Sequence, residues 1–386
     1  MEEVFAIEWV QLFEDGQVFP DSTLVIENER ILYAGPQKGA PGLKGIRTID
    51  GHGCSVAPGY IDLQINGGFG KDFTTEPGSM IEVAKLLPQT GVVSFLATFI
   101  TSPLDSYSQK LLAVQAAQSI QAEDRASGAR ILGAHIEGPF LNPTTKGAHN
   151  QNLFQDPNDA SLLFLHPLNA VRLLTLAPEL PGALQAIRKL SSQGIKISIG
   201  HSNATFEEAT AGIQAGAHYA THLYNAMRGM QHRDPGLVGT LLTSDEVTCG
   251  LIADGIHVHP RMVKLAFRAL GPKRLTLVTD AMAAMGMPPG KFVIGDQDVK
   301  VDETTARLSD GTLAGSILRM DLAVRNMVDY CGCTPAQAAR MASTTPAEVL
   351  GIDHETAHLR PGYRADFVLL DDHLNILKTY IGGQTS

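Results

Sequence analysis

From residue 60 onward the chain repeats one pattern about eight times: a short apolar run, a loop, and a longer segment of helical periodicity. This alternation is typical of parallel α/β folds, in which buried strands are each followed by a helix. Eight repeats predict a closed parallel barrel. The predicted barrel strands are 60–66, 92–98, 131–136, 172–177, 195–200, 217–222, 248–253 and 274–279.

Both ends of the chain are rich in β-forming residues and do not follow this repeat. The first fifty-odd residues alternate runs such as VFAIEWVQLF and STLVIENERILYAG with turn residues, and the C-terminal RADFVLLDDHLNILKTYIGG is similar. We therefore predict an α/β protein with two domains. A TIM-like (β/α)8 barrel occupies residues 58–356, and a small β-sandwich is built from residues 1–57 and 357–386.

Charge and cysteine content argue against several classes of binding partner and of structural site. The chain has 386 residues and a formal net charge of −10, without a basic block, so nucleic acid and anionic membranes are poor candidates. The N-terminus lacks the pattern of a signal peptide, and no apolar run is long enough to span a bilayer, so we expect a cytoplasmic protein. The four cysteines have no Cys-x-x-Cys spacing, which indicates neither a disulfide framework nor a thiolate zinc site.

Four polar residues stand at the C-terminal ends of predicted barrel strands, each directly after an apolar run. They are Glu137 after ILGAHI, His201 after ISIG, His222 after HYAT and Asp280 after RLTLVT. Because the carboxyl ends of barrel strands meet at one face, we expect these side chains to lie together. One carboxylate and two imidazoles suit Zn²⁺ or a similar divalent ion. Asp280 then fits a general base and acid that takes a proton from water and passes it to a leaving amine.

Eight short segments, in this order, resemble the N-acetylglucosamine-6-phosphate deacetylases of the amidohydrolase superfamily. The segments are HIEGPFLN (135–142), KGAHN (146–150), GHSNAT (200–205), THLYNAM (221–227), DPGLVG (234–239), ADGIHV (253–258), LVTDAM (277–282) and GTLAGS (311–316). Each one is short, but the ordered series is specific and extends from about PGYID to the final strands. The resemblance implies a metal-dependent TIM-like barrel with a small β-sandwich made from both termini. This agrees with the fold predicted above from the pattern of strands and helices.

The resemblance also implies roles for individual residues. Glu137, His201 and His222 match the metal ligands of the family, and Asp280 matches its catalytic acid and base. In the family, the arginine that corresponds to Arg233 reaches the sugar phosphate of the neighbouring subunit, which implies a homodimer. The positions that match substrate contacts are Ala148, His149, Asn225, Ala226, Arg233, His257, Ala314, Gly315 and Ser316.

The first predicted barrel strand, within YIDLQINGG, contains no histidine. Many amidohydrolases bind a second metal through His-x-His on this strand, but here those places hold Gln64 and Asn66. Neutral amides are poor zinc ligands compared with imidazole or carboxylate. Some members of the family carry the His pair and two metals, and others carry a Gln/Asn version and one. We therefore predict one divalent ion per chain, with Zn²⁺ as the expected metal.

The reaction implied is metal-dependent hydrolysis of the acetamide of N-acetyl-D-glucosamine 6-phosphate to D-glucosamine 6-phosphate and acetate, in amino-sugar catabolism or recycling. His149 is the candidate for holding the oxyanion, and Arg233 and His257 are candidates for binding the phosphate. Two alternatives stay open. One is a deacetylase of a related amino-sugar phosphate, such as N-acetylgalactosamine 6-phosphate, and the other is a noncatalytic sugar-phosphate-binding barrel. Asp280 beside a full ligand set argues against the second, because a binding protein needs no general base.

Overall fold

The computed structural model describes residues 4–42, 44–124 and 128–385. Its central feature is a sheet of eight parallel strands, in which neighbours in the sequence are also neighbours in space. Each strand overlaps one of the predicted barrel strands, so the predicted barrel is confirmed. The strands are Tyr60–Ile65, Val92–Ile100, Arg130–Glu137, Val171–Leu176, Lys196–Ile199, Ala217–Ala220, Thr248–Leu251 and Leu275–Leu277.

The barrel closes between its first and last strands through individual backbone hydrogen bonds. The N–H of Asp280 donates to the carbonyl of Gln64 over 2.8 Å, and the N–H of Asn66 donates to the carbonyl of Ala281 over 2.7 Å. Residues 65 and 281 also form an isolated parallel bridge. Barrel closure therefore brings the side chains at positions 64, 66 and 280 to the same mouth.

Helices cover the outside of the barrel, and their apolar faces follow from the sequence. In Ala183–Ser192, for example, the buried residues Ala183, Ala186, Ile187 and Leu190 recur at helical spacing and pack inward. The described α-helices are Met80–Leu86, Tyr107–Glu123, Ala183–Ser192, Phe206–Ala215, Gly236–Thr243, Pro260–Leu270, Met320–Cys331, Pro335–Ala342 and Thr344–Leu350.

The third barrel strand departs from the predicted strand–helix repeat. The connection 138–170 that follows it contains only short 3₁₀ turns. Its sequence, GPFLNPTTKGAHNQNLFQDPND, holds three prolines in its first twenty residues together with glycines and asparagines, which favour turns over a helix. This connection carries His149, so an irregular segment takes the place of a covering helix beside the barrel mouth.

The two ends of the chain form one eight-stranded sheet, which confirms a β-rich unit made from both termini. The two ends meet where Ser55–Pro58 pairs antiparallel with Phe367–Leu370. A separate apolar cluster, which includes Ile7, Leu24 and Phe367, fills its interior. The exact domain boundaries at 57/58 and 356/357 stay a prediction. The strands are Val4–Glu14, Gln17–Glu27, Arg30–Pro36, Arg47–Asp50, Ser55–Pro58, Phe367–Leu370, Ile376–Ile381 and Gln384–Thr385.

A three-stranded antiparallel sheet follows the last barrel strand and was not predicted. Its strands are Gly290–Ile294, Gln297–Val301 and Ala306–Arg307, and we call residues 290–314 the mouth hairpin. Its buried side chains, among them Ile294 and Val299, pack on Ile100 and Met282 at the barrel mouth. A pair of very short strands, Gly67–Gly68 and Lys71–Asp72, lies after the first barrel strand. Within the described residues, no helix has the length and apolar content needed to cross a membrane.

A buried carboxylate, Asp366, connects the terminal sheet to the barrel. It accepts hydrogen bonds from the Nε of Arg364 over 3.1 Å and from the N–H of Gly382 over 2.7 Å, and it lies 3.5 Å from Nη2 of Arg130 at the start of a barrel strand. Burial alone would raise the pKa of Asp366, but the charges of Arg130 and Arg364 and the hydrogen bonds outweigh it. The pKa therefore lies below its usual value of 3.8.

Replacing Asp366 by Asn should destabilise the protein by about 2 kcal/mol at neutral pH, because the partly buried guanidinium groups of Arg130 and Arg364 lose their nearest carboxylate and are left with Glu355 and Glu29. The stabilisation from a lowered carboxyl pKa is present above the unfolded value and is lost as the pH falls through the folded value. The difference from the wild type, measured by urea unfolding, should therefore shrink below about pH 4. Asp298→Asn, at an exposed position, is the control and should stay within about 0.5 kcal/mol. Equal stability of wild type and Asp366→Asn at pH 7 would contradict this assignment.

Candidate active site

Three of the polar residues that follow barrel strands adopt a left-handed backbone conformation. The φ angles are 48° at His201, 32° at His222 and 48° at Asp280. This region is unfavourable for residues other than glycine, and such strain clusters at functional sites. The turn ends each strand and sets the direction of the side chain that follows it. Sequence patterns do not reveal this conformation, because nothing in the residue type requires it.

Glu137, His201 and His222 converge at the mouth of the barrel. The Oε1 of Glu137 lies 3.2 Å from Nε2 of His201 and 3.1 Å from Nε2 of His222, and the two Nε2 atoms are 3.1 Å apart. All three side chains are buried. The Nδ1 of His201 lies 3.0 Å from the carbonyl of Thr145, so Nδ1 carries the proton and Nε2 is free to act as a ligand.

The three side chains fit a divalent metal ion. Tetrahedral bonds of 2.0–2.1 Å place neighbouring ligand atoms about 3.3 Å apart, close to the spacing found here. Burial raises the pKa of Glu137, but the hydrogen bonds from His201 and His222 and their charges together lower it by more than burial raises it. The pKa therefore lies well below its usual value, and the group is ionised. Within the described ranges, no other group of three His, Cys, Asp or Glu side chains is placed to hold an ion.

Gln64 bridges the two carboxylates of the site, and Asn66 contacts one of them. The amide nitrogen of Asn66 donates to Oδ1 of Asp280 over 2.7 Å. The amide nitrogen of Gln64 donates to the same oxygen over 3.1 Å and to Oε1 of Glu137 over 3.0 Å. Both side chains therefore act as hydrogen-bond donors that hold the two carboxylates in place. A single ion per chain stays the prediction.

Asp280 has the environment of a proton-transfer group. Burial, followed by the nearby charge of Glu137, raises its pKa to about 6. A divalent ion bound beside it would lower this value and favour the carboxylate. Because both amides bond Oδ1, Oδ2 stays available to accept a proton. A carboxylate with these properties can act first as a base and then as an acid.

The hydrogen bonds of His149 define its tautomer. The N–H of Thr101 donates to its Nδ1 over 3.3 Å, and the hydroxyl of Thr101 lies 2.8 Å from the same atom. Nδ1 is therefore an acceptor, which leaves the proton on Nε2, 3.8 Å from Oε2 of Glu137. Burial, followed by the charge of His201, lowers the pKa of His149 to about 3. The side chain is thus a neutral imidazole with an Nε2–H donor beside the ligand triad.

A cavity of about 370 Å³ opens above these groups. Its walls include the three ligands, Asp280 and six of the nine predicted substrate-contacting residues. Those six are Ala148, His149, Asn225, Ala226, His257 and Gly315. His257 is held by Asp254, whose Oδ2 lies 2.6 Å from its Nδ1, so Nε2 is the ring atom left for a ligand. Asn66 also lines the cavity.

The other three predicted contacts lie elsewhere, and their roles stay predictions. Arg233 is exposed and does not line the cavity of its own chain. Ala314, the last residue of the mouth hairpin, is buried in the apolar cluster between the hairpin and the barrel. Ser316 supports the backbone behind Asp280, because its Oγ donates to the carbonyl of Thr279 over 2.6 Å and its N–H donates to the carbonyl of Asp280 over 2.8 Å.

Several cavity residues were not predicted from the sequence. Three of them, Ile100, Ile252 and Ile294, provide apolar wall, and three more come from the end of the mouth hairpin: Arg307, Thr312 and Leu313. Thr312 and Leu313 lie in the GTLAGS segment, directly before the three positions of that segment predicted to contact substrate. The segment was therefore the available signal for both residues. No local pattern points to Arg307, because its position depends on how the hairpin packs on the barrel.

A model of the amidohydrolase family matches residues 55–385. The chain belongs to the amidohydrolase family. The matched region spans the barrel together with the C-terminal strands of the terminal sheet, and it contains every member of the Glu/His/His triad.

Several relatives within the amidohydrolase family are named as deacetylases of amino-sugar phosphates. An N-acetylglucosamine-6-phosphate deacetylase from Danio rerio is 42% identical over 352 residues, which is 87% of this chain and 85% of the relative. An N-acetylgalactosamine-6-phosphate deacetylase from Escherichia coli O157:H7 is 41% identical over 332 residues, 85% of this chain and 87% of the relative. The crystal structure of the Pasteurella multocida N-acetylglucosamine-6-phosphate deacetylase superposes with a TM-score of 0.92 at 31% identity, and 99% of each chain is covered.

Proposed function

We propose that the protein hydrolyses the acetamide of N-acetyl-D-glucosamine 6-phosphate to D-glucosamine 6-phosphate and acetate. The observation that carries this proposal is the buried Glu137/His201/His222 triad beside Asp280 in one cavity, in a chain whose relatives are deacetylases of amino-sugar phosphates. The deciding experiment is acetate release from this substrate by the purified protein loaded with Zn²⁺. Release above the rate without protein supports the proposal, and no release with any divalent metal would reject it.

Glu137, His201 and His222 would hold the metal, for which Zn²⁺ is our choice. When bound, such an ion polarises an amide carbonyl and brings the pKa of a water molecule toward ~7. The side chains of the protein supply the remaining steps. Asp280 accepts a proton from the attacking water and later donates it to the departing nitrogen. The Nε2–H of His149 donates to the developing oxyanion, a contribution of about 3–4 kcal/mol in comparable sites.

The proposed reaction explains why a neutral His149 and an ionised Asp280 both lie beside the same Glu/His/His triad. A neutral imidazole can donate its proton in a hydrogen bond without giving it up, because its basic nitrogen is already occupied by Thr101. Asp280 needs the opposite property, an oxygen that is free to accept and return a proton. The two groups therefore divide the work between oxyanion binding and proton transfer.

The second candidate substrate is the galactosamine epimer, N-acetylgalactosamine 6-phosphate. Relatives named for the glucosamine and the galactosamine substrates match this chain at 42% and 41% identity, so identity does not separate them. We choose the glucosamine substrate because most of the relatives above carry that name. Comparing kcat/KM for the two 6-phosphates tests the choice, and a higher value for the galactosamine compound would reverse it. Phosphorylated sugars do not cross bilayers unaided, so we expect the enzyme to act in the cytoplasm, in breakdown or recycling of amino sugars.

Our proposal includes a homodimer in which Arg233 of one copy binds the phosphate in the other. A planar guanidinium suits bidentate contact with phosphate, and Arg233 is exposed outside its own cavity. Arg233→Ala should raise KM for the phosphorylated substrate by about 10- to 100-fold with a small change in kcat. An unchanged KM in steady-state kinetics would contradict the role.

Mixing variants separates an arginine in trans from one in cis. Arg233→Ala and Asp280→Asn each damage one component, and a mixed dimer contains one site with both components intact. At substrate concentrations below KM, random exchange should restore about a quarter of the wild-type activity if the arginine acts across a twofold interface. No recovery in samples shown to be mixed dimers would place Arg233 on its own site.

A further inference from the structure

The mouth hairpin holds its last strand rigidly at the edge of the cavity. Ala306 is buried, and its carbonyl accepts a hydrogen bond from the N–H of Ala314 over 3.0 Å. The turn between them is closed by the N–H of Gly311, which donates to the carbonyl of Leu308 over 3.0 Å. Arg307 lies inside this closed turn, one residue after Ala306, and pairs with Leu313 in an antiparallel bridge. Its backbone position is therefore well defined.

Among the described residues that line the cavity, Arg307 is the only lysine or arginine. Its Nη1 donates to the carbonyl of Gly311 over 2.8 Å, which ties the guanidinium to the turn. In the part of the chain that the structure describes, no carboxylate lies within ion-pair distance of it. The guanidinium of Arg307 is held on one side by this hydrogen bond, and its positive charge has no carboxylate partner. Its remaining N–H groups can therefore donate to an anion.

The neighbours of Arg307 strengthen this positive charge. Lys300 lies directly opposite Arg307 on the adjacent strand, and Lys291 lies directly opposite Lys300 on the next. Like charges at directly opposed positions destabilise a sheet. Across the described ranges, neither lysine has an ion-pair partner. The hairpin thus keeps three cations in a row at a cost in stability, and the row ends at the cavity.

We propose that Arg307 contacts the phosphate of the substrate from within the same chain and so contributes to selection of phosphorylated over unphosphorylated sugars. This inference rests on the proposed function, since that supplies a substrate with a dianionic group. The acetamide must lie at the triad for hydrolysis, so the phosphate at the other end of the sugar points toward the mouth of the cavity. Lys300 and Lys291 raise the local positive potential without entering the cavity.

The test compares two substrates in the metal-loaded enzyme. Arg307→Ala should lower kcat/KM for N-acetylglucosamine 6-phosphate by about 10- to 100-fold, as expected for loss of a charge-assisted hydrogen bond. Its kcat/KM for unphosphorylated N-acetylglucosamine should stay within about twofold of the wild type, because that sugar lacks the group that Arg307 contacts. Arg307→Lys, which keeps the charge but not the fork, should lie between the two.

Arg268→Ala is the control for a general loss of positive charge. Arg268 is an exposed residue in the last turn of Pro260–Leu270 and does not line the cavity. It should match the wild type on both substrates. The proposal is overturned if Arg307→Ala behaves like Arg268→Ala, or if it loses the same factor on both substrates.

Equilibrium binding separates this proposal from the proposed function. Glucose 6-phosphate carries the phosphate but no acetamide, and calorimetry with the metal-loaded protein measures its affinity directly. Arg307→Ala should bind it about 10-fold or more weakly than the wild type. If the wild type binds the compound, the variant does not, and neither releases acetate, then the proposed function fails and the role of Arg307 stands. Equal binding by wild type and variant overturns the role of Arg307, whatever the enzyme hydrolyses.

Discussion

Replacing Asp280 by Asn should lower kcat by about 10³-fold or more, because one carboxylate both accepts the proton from water and returns it to the leaving nitrogen. Asparagine has nearly the same shape, and it can still meet the amides of Gln64 and Asn66, after rotation, through its own carbonyl oxygen. The change therefore removes the proton acceptor while leaving the surroundings in place. Steady-state kinetics on N-acetylglucosamine 6-phosphate measures the effect.

Metal content distinguishes this loss from damage to the ligand triad. Asp280 is not one of the three ligands, so Asp280→Asn should bind as much Zn²⁺ per chain as the wild type, measured by atomic emission after dialysis. Asp254→Asn, which removes the partner of His257, is a useful second variant because its defect should appear mainly in KM. Turnover by Asp280→Asn within about tenfold of the wild type would remove Asp280 from the proton-transfer step.

Removing the metal should abolish acetate release, and activity should return in proportion to added Zn²⁺ until about one ion per chain is present. The triad offers one set of three ligand atoms within 4.8 Å. Gln64 and Asn66 donate hydrogen bonds toward the carboxylates, and their neutral amide oxygens are poor zinc ligands compared with imidazole or carboxylate. Calorimetric titration of chelator-treated protein, followed by activity assays on the same samples, measures both quantities.

Thermal unfolding gives an independent measure of the same ion. A ligand that binds only the folded state raises the stability by about 2.7 kcal/mol at a hundredfold excess over its Kd. The melting temperature should therefore rise with added Zn²⁺ in the wild type and stay constant in His201→Ala, which lacks one ligand. Activity that saturates near two ions per chain would show that the first barrel strand contributes a second site.

The sequence was sufficient for the parts of the site that depend on strand ends. Glu137, His201, His222 and Asp280 each follow an apolar run, and barrel topology alone brings such positions together. What the local pattern could not give is long-range packing. Arg307 reaches the cavity only because the mouth hairpin folds back on the barrel, and the tautomer of His149 depends on Thr101, which is 48 residues away.

Local sequence preference also explains one departure from the expected fold, the irregular connection 138–170. The helical periodicity after the third strand is interrupted by prolines and asparagines, and local turn preference prevailed there over the repeat. The role of Arg233 rests on the resemblance to the family, because its proposed ligand lies in a second copy of the chain.

The joining of both termini in one sheet has a consequence for biosynthesis. The strand Ser55–Pro58 emerges early from the ribosome but pairs with Phe367–Leu370, which is made almost last, and Arg30 contacts the carbonyl of Gly362 across 332 residues of sequence. Until translation is nearly complete, the N-terminal strands keep an unpaired edge, and exposed edges favour aggregation. Slow elongation or premature termination should therefore be more harmful to this protein than to one whose domains are each encoded continuously.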